Sequence, residues 1–268
     1  MWLPWQAAVV LAGVCVGLGF VARRHRHRWA PATAAVALET ALVLVLYTIW
    51  QFAGRLSVLQ ADGAIRRGAW IWDSEQALHL PSELALQKLI LPYPTLVQGA
   101  NAYYAIVHVP ALLCFLVWLF LRHRDRYPVL RNVLAISTGA CLLVQLLPVA
   151  QPRLTPGLGF VDTGLLYGQS VYGPDGGGAI GQLGAMPSVH VLWAVLVAVG
   201  VIAVSSSPWR WLVVSHPVLT VLVVGATANH WWLDGVVAVA NCAVILSGTR
   251  SPLAVSSMRR SGSLARLA

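Results

Sequence analysis

Two short stretches carry the residue types that could do chemistry. The first is Ala185-Met186-Pro187-Ser188-Val189-His190, where a glycine-rich loop gives way to the apolar run Val191–Val204. Proline suits the first turn of a helix, because its missing N–H would be unpaired there. Ser188 and His190 then fall at a helix start, where free amides and the positive end of the dipole favour an anion. The second stretch is Asn229-His230-Trp231-Trp232-Leu233-Asp234. His230 and Asp234 are four apart, so on a helix they share a face and can hydrogen-bond. Upstream, Gln151-Pro152-Arg153 places an arginine at the end of another apolar run.

These are the parts for phosphate-ester chemistry without a metal. A nucleophile must be activated, donors must hold the phosphate oxygens, and an acid must protonate the leaving group. His230 beside Asp234 fits the first, since a carboxylate fixes the imidazole tautomer and stabilises the imidazolium. Arg153, Ser188 and the amides at the start of the Val191–Val204 helix fit the second. His190 fits the third. A metal site built from His190, His230 and Asp234 is the other chemical reading, but an arginine and a helix N-terminus suit an anion better.

The elements that must position these groups are membrane spans. The chain has 268 residues, 58% hydrophobic and 10% charged, with mean hydropathy +0.71. A soluble domain carries about 25% charged residues, and apolar runs of about 20 residues fit bilayer-spanning helices. The expected fold is therefore all-α, a polytopic membrane bundle of about seven spans with interfacial amphipathic helices. The spans run Leu3–Ala22, Thr33–Ala53, Asn101–Leu121, Asn132–Ala150, Val189–Val204, Trp211–Ala228 and His230–Ser247. The first is expected to be a retained helix rather than a signal peptide, because its arginines follow the apolar run. Residues 54–100 are too polar to cross and read as helices at the membrane surface, with Trp70 and Trp72 at the interface. The organisation expected is an N-terminal pair of spans over residues 1–55, a catalytic membrane domain over 56–248 and a basic tail over 249–268.

Charge fixes the expected orientation. Thirteen of the 18 Lys and Arg residues fall on one side of this threading: the clusters after spans one and three, Arg210 and the tail. The positive-inside rule makes that side cytoplasmic, leaving the N-terminus outside and the C-terminus inside. Arg153, Ser188, His190, His230 and Asp234 then share the outer face of the plasma membrane. The net charge of +9 thus reads as topology and contact with anionic lipid heads, not as nucleic-acid binding. Cys15, Cys114, Cys141 and Cys242 all lie in apolar runs and read as small core residues. Glu39 reads as snorkelling or paired with nearby arginines. His108 lies within an apolar span and needs a partner there. It reads either as a hydrogen-bonded structural group or as a pocket residue, with Asn229 as a second possible pocket residue. His216 reads as structural and remote from the other histidines. Gly176-Gly177-Gly178 reads as a linker or a lid.

The chain resembles the type 2 phosphatidic acid phosphatase superfamily, whose pattern joins an Arg-Pro-containing motif, P-S-G-H and S-R-x5-H-x3-D. Pro187-Ser188-Val189-His190 matches the second motif, with valine in place of the frequent glycine. His230 and Asp234 match the third, and Pro152-Arg153 stands at the first. The wording around these residues, with Tyr104, His108, Tyr127 and Arg131, is most like the branch containing inositol phosphorylceramide synthase and its actinobacterial relatives. The resemblance spans roughly residues 60–248. It implies a six-helix core and a lipid-linked phosphate as substrate. It also implies His230 as a nucleophile forming a phosphohistidine, Asp234 as its orienter, and His190 as acid then base. Arg153 and Ser188 would hold phosphate, with no metal or other cofactor. Leu146 stands where the first motif has lysine, and Val224 where the third has arginine. Fewer cations favour a singly charged phosphodiester over a dianionic monoester, and so lean toward head-group transfer. Hydrolysis and transfer share one phosphoenzyme. A non-enzymatic transporter or scaffold that kept the fold is the reading from a different class.

Overall fold

The computed structural model describes residues 3–25, 27–58, 61–172 and 182–248. The glycine run 176–178 and the basic tail lie outside these. The described residues form an all-helical membrane bundle. Helices α1 (Trp5–Arg24) and α2 (Ala30–Val58) pack along one another, and α2 also touches α3 (Ala61–Ala77) and α7 (Tyr127–Val144). Helix α2 runs through residue 55, where the sequence suggested a boundary. Then come α4 (Glu83–Ile90), α5 (Pro94–Ile106) and α6 (His108–Arg122). After α7 follow the single turn α8 (Thr163–Leu166), α9 (Val189–Val204), α10 (Ser215–Ala226) and α11 (Trp232–Gly248).

Among the described residues, four helical stretches are long and apolar enough to cross a membrane: Trp5–Arg24, Ala30–Phe52, Tyr127–Val144 and Pro208–Ala226. A fifth arises if α5 and α6, bent by 45°, are taken as one span. Helices α9 and α11 are apolar but shorter. Val10, Val36, Leu143 and Val244 are among many large apolar side chains left exposed, as lipid-facing surfaces require.

The expected third span is broken, and its sequence explains the break. Pro110 has no N–H to give to Ile106, and its ring crowds that turn. The His108 side chain meanwhile takes the Tyr104 carbonyl through Nδ1 at 3.2 Å. The expected fourth span also ends early. Helix α7 stops at Val144, ahead of Pro148, and residues 145–150 run irregularly. Irregular backbone at this depth is tolerated only where protein satisfies it. Here Gln145 donates to the carbonyls of Gly184 and Pro187 at 3.3 and 3.1 Å, while Val149 exchanges backbone hydrogen bonds with Leu183 and Ala185.

Following the helices end to end puts Arg122, Arg126 and Arg210 at the helix ends opposite those that carry His190 and His230. Helix α6 ends at Arg122, α7 starts just past Arg126, and Arg210 follows α9. The far ends of α7 and α10 and the starts of α9 and α11 bring together residues 145–155, 185–190 and 227–234. Trp29, Trp209 and Trp211 are exposed beside Arg28 and Arg210, as at a headgroup belt. Glu39 pairs with Arg131 and ties α2 to α7. Its partner is thus not one of the arginines nearest in sequence.

The core of the bundle is α9, packed against α6, α7, α10 and α11. Gly200 allows the α6 contact. A Cβ there would lie 2.3 Å from Cζ of buried Phe115, whereas one at Gly139 of α7 would meet nothing within 4 Å. Gly200→Ala should therefore lower the melting temperature of the purified protein in detergent, at a cost of about 1–3 kcal/mol from overpacking. Gly139→Ala should raise it, since alanine is the better helix former by roughly 0.5–1 kcal/mol.

Candidate active site

Ser188 is the N-cap of α9. Its Oγ accepts from Val191 N–H at 3.3 Å and its own N–H donates to the Asp234 carbonyl at 3.1 Å. Helix α9 begins at Val189, so Pro187 lies ahead of the cap, joined to Met186 by a cis bond. The expectation that Pro187 opens the helix is corrected: the serine claims the cap because its hydroxyl can take an orphan amide and proline has nothing to offer one. His190 is consequently in the first turn of α9, with its ring reaching toward the start of α11.

His230 sits in the short connection between α10 and α11. Ala228 turns that connection with φ of 55°. The Nδ1 of His230 lies 2.8 Å from the Ala185 carbonyl and 3.2 Å from Oδ2 of Asp234. A carbonyl oxygen can only accept, so Nδ1 carries a proton. Nε2 therefore presents its lone pair when the ring is neutral, and it faces Nδ1 of His190 at 3.2 Å. With both rings neutral, the proton between them belongs to His190. Asp234 is fully buried, and its Oδ2 also accepts from Trp231 N–H at 2.9 Å. The His190–His230–Asp234 line is thus a connected hydrogen-bonded chain ending on a carboxylate. It leaves no room for a phosphorus atom at Nε2, so a substrate must displace the His190 ring.

Arg153 is not in contact with the histidines. Its side chain is 3% exposed and is paired with Asp162. Nε donates to Oδ1 of Asn229 at 3.2 Å, Nη2 donates to Gln151 at 2.6 Å, and the guanidinium lies over the Tyr172 ring. Arg153, Asp162, Tyr172 and Asn229 line a small, half-open cleft together with Asn101, Tyr104 and Gln169. Asn229 lies in this cleft and joins the two parts of the site: its side chain holds Arg153 and the next residue is His230. Tyr104 is the other join. Its hydroxyl meets that of Tyr172 at 3.1 Å and its ring lies 4.6 Å from the His190 ring.

His108 is buried, with its ring 4.8 Å from that of His190 and 6.0 Å from that of His216. His216 is thus not remote, as its position in the sequence suggested. It joins the cluster because the bend at α5–α6 carries His108 inward, and Tyr103 bridges to Nδ1 of His216 at 2.8 Å. Nε2 of His108 has no hydrogen-bond partner. Among the described residues, no three His, Cys, Asp or Glu side chains converge on a common metal position.

Sequence reasoning missed several partners. Asp162, Gln182 and Tyr172 gave no signal, and Gln151 entered only as a neighbour of Arg153 in the sequence. Trp72, expected at the interface, instead packs on Phe160 and Trp231, with ring centroids 5.7 and 6.1 Å away. Glu83 and Gln87 form a polar i, i+4 pair that α4 turns inward, leaving Leu89 exposed. That inverted face was legible as a pattern, but its target was not.

A family model for the PAP2 superfamily matches residues 69–247. No curated protein and no solved structure matches the chain. The hydrogen bonds of His230 fix one observable: 15N spectra of histidine-labelled protein near neutral pH should show the Nδ1–H tautomer for this residue. Asp234→Asn should shift that signal, and Ala185, which holds the proton through its backbone, should not respond to side-chain change.

Proposed function

The chain belongs to the PAP2 superfamily, and from that premise we propose that it is a metal-independent phosphotransferase or phosphatase acting on a lipid-linked phosphate ester. PAP2 proteins are generally phosphatases or phosphotransferases, and the apolar helices make this one a membrane protein. The observation that carries the proposal is the line from Asp234 through His230 to His190. It supplies a nucleophilic nitrogen with its other nitrogen held protonated, and an acid in contact with it.

In the proposed reaction, the Nε2 lone pair of His230 attacks phosphorus while the bond to the leaving alcohol breaks. His190 gives that alcohol its proton, and Asp234 stabilises the positive ring. An acceptor hydroxyl then attacks the phosphohistidine, returning its proton to His190 as the N–P bond breaks. Arg153 and Ser188 hold phosphate oxygens. His108 lines the wall behind His190. The asymmetric placement of the arginines supports a site on the outer face of the plasma membrane.

The surroundings of Arg153 favour head-group transfer from a phosphodiester, as in the inositol phosphorylceramide synthase-like branch. Leu146 is half-exposed and uncharged and Val224 is buried, so neither motif position supplies a cation. The remaining arginine is matched by Asp162. A site with one neutralised cation suits a monoanion over a dianion. The amides and carboxylate of the cleft suit a hydroxyl-rich head group, each hydroxyl of which donates and accepts.

The decisive experiment incubates the purified protein with labelled lipid phosphates and asks whether a new lipid or free phosphate appears. His230→Ala should abolish turnover on every substrate. His190→Ala should lose about 10²–10⁴-fold on an ordinary ester, the usual worth of general-acid assistance, yet recover on a p-nitrophenyl ester whose leaving group needs no proton. Rescue of His230→Ala instead would reverse the roles.

Asp162 provides a separate check on the substrate's charge. Asp162→Asn removes the counter-ion of Arg153, so kcat/KM for a p-nitrophenyl phosphomonoester should rise relative to the diester by roughly tenfold, the scale of one partly screened charge contact. An unchanged ratio would leave the diester preference without this basis.

A further inference from the structure

Helix α11 delivers Asp234 to His230, and its first amides are exposed by geometry: the leading N–H groups of any helix have no partner within it. Here they are met by carboxyl groups from three elements. Trp231 N–H donates to Asp234, Trp232 N–H to Oε1 of Glu83 at 2.9 Å, and Leu233 N–H to Oε1 of Glu75 at 2.8 Å. Glu75 comes from α3 and Glu83 from α4, both outside the spans. Both are 1% exposed or less. Their second oxygens, Oε2 of each, are buried and receive no hydrogen bond from a donor among the described residues. Their Oε1 atoms accept from adjacent backbone amides, which makes the two carboxyl groups neighbours.

Two buried carboxylates cannot face each other in this way while both are charged, because burial and mutual repulsion both oppose it. One proton held between them satisfies both orphan oxygens. We infer that Glu75 and Glu83 are a proton-sharing carboxyl pair that serves as a positioning device for the catalytic chain, holding the start of α11 so that the Asp234 carboxylate is left to His230. The reason is competition. Asp234 is itself in the first turn of α11, within reach of that turn's amides, and its Oδ1 has no partner. With Trp232 and Leu233 taken by the glutamates, Oδ2 is left to Trp231 and the imidazole. Without them, the nearest acceptor for the freed amides is Asp234, and its rotation would break the bond to Nδ1 of His230. The inference rests on the proposed role of the His230–Asp234 pair.

The electrostatics agree. Burial, then the Glu83 hydrogen bond, pushes the Glu75 carboxyl up to about 9, against the lowering effect of Leu233 N–H. Burial also raises Glu83. The charges acting on this pair are their own and that of Asp234. A carboxyl that is protonated in the folded chain but ionised in the unfolded one binds more protons when folded. Its stabilising effect is therefore complete below about 4.5, falls as pH rises, and is gone once pH passes about 9.

The test compares Glu75→Gln, Glu75→Ala and Glu83→Gln in the full-length protein. Glutamine keeps the carbonyl acceptor for Leu233 N–H and supplies a permanent donor to the facing carboxylate. Glu75→Gln should hold kcat near wild type at neutral pH on a p-nitrophenyl phosphodiester and extend activity past the alkaline limb of the wild type. Its melting temperature should gain on the wild type steadily from pH about 4.5 to about 9. Glu75→Ala should lose kcat by about tenfold or more, the usual cost of removing an orienting partner, with KM less changed. In 15N spectra it should shift the His230 Nδ1 signal as Asp234→Asn does, with the Ala185 carbonyl still holding the proton on that nitrogen. Glu83→Gln should follow Glu75→Gln. Melting curves and spectra need no turnover, so they judge the carboxyl pair even if the phosphate chemistry fails. Parallel melting–pH curves for Glu75→Gln and wild type would overturn the shared proton. An unchanged His230 signal in Glu75→Ala would overturn the positioning role; if that variant does not fold, an alkaline limb in Glu75→Gln identical to wild type would do so.

Discussion

The first turn of α11 is the place where the membrane's central demand and the chemistry meet. Hydrocarbon offers no water to unpaired amides, so each one must find an acceptor within the protein. Most helices of a bundle solve this at the surface. Helix α11 starts inside, beneath α3 and α4, and its amides are taken by Glu75, Glu83 and Asp234. The α3–α4 segment therefore covers the end of the bundle where His190 and His230 meet, with Trp72, Phe160 and Trp231 packed beneath it. Glu75 and Glu83 point in, whereas Asp73 and the apolar Leu89 and Trp70 point out. The buried glutamates face the polar start of α11.

The same demand accounts for the irregular segments. Where α7 ends early, Gln145 and Val149 satisfy the chain that leads into α9. Gln87 does the same across a wider gap, donating to the carbonyls of Val161 and Ala226 and accepting from Val161 N–H. These glutamines connect pieces of backbone that have no helix to complete them. They also fix the cleft wall, since Val161 precedes Asp162 and Ala226 precedes the turn that carries Asn229 and His230. The bend between α5 and α6 adds a third irregularity, and it brings His108 against His190.

Two halves of the site are held at different electrostatic balance. The Arg153 half is a closed network of one cation, one acid and three amides over an aromatic face. The histidine half ends on Asp234, which is fully buried and whose Oδ2 meets the His230 ring and Trp231 N–H. A phosphoryl group bridging the halves would bring the guanidinium's partner into competition with substrate and would part the two imidazoles. Tyr104 and Asn229 stand at the junction and belong to both networks.

The sequence by itself determined the class of fold and singled out most of the residues that meet at the candidate site. Hydropathy follows directly from the order of residues along the chain, so an all-helical membrane bundle was legible. Among the described residues, however, four helical stretches, or five with the bent pair, are long and apolar enough to cross, against the seven expected. His230 and Asp234 were legible as a pair because they are four apart, and Ser188 because caps are local. Span ends were less so: Pro110 and Pro148 marked the breaks, yet only the neighbouring chain decides whether a broken helix still crosses. What tertiary structure alone decided are the contacts that cross many residues. Asp162 against Arg153, His216 beside His108, Trp72 inside, and Glu75 with Glu83 on α11 all join elements whose relative placement no local pattern encodes. The physical reason is that a buried polar group is defined by the partner that satisfies it, and in this bundle that partner lies on another helix, fixed only when the apolar faces have packed.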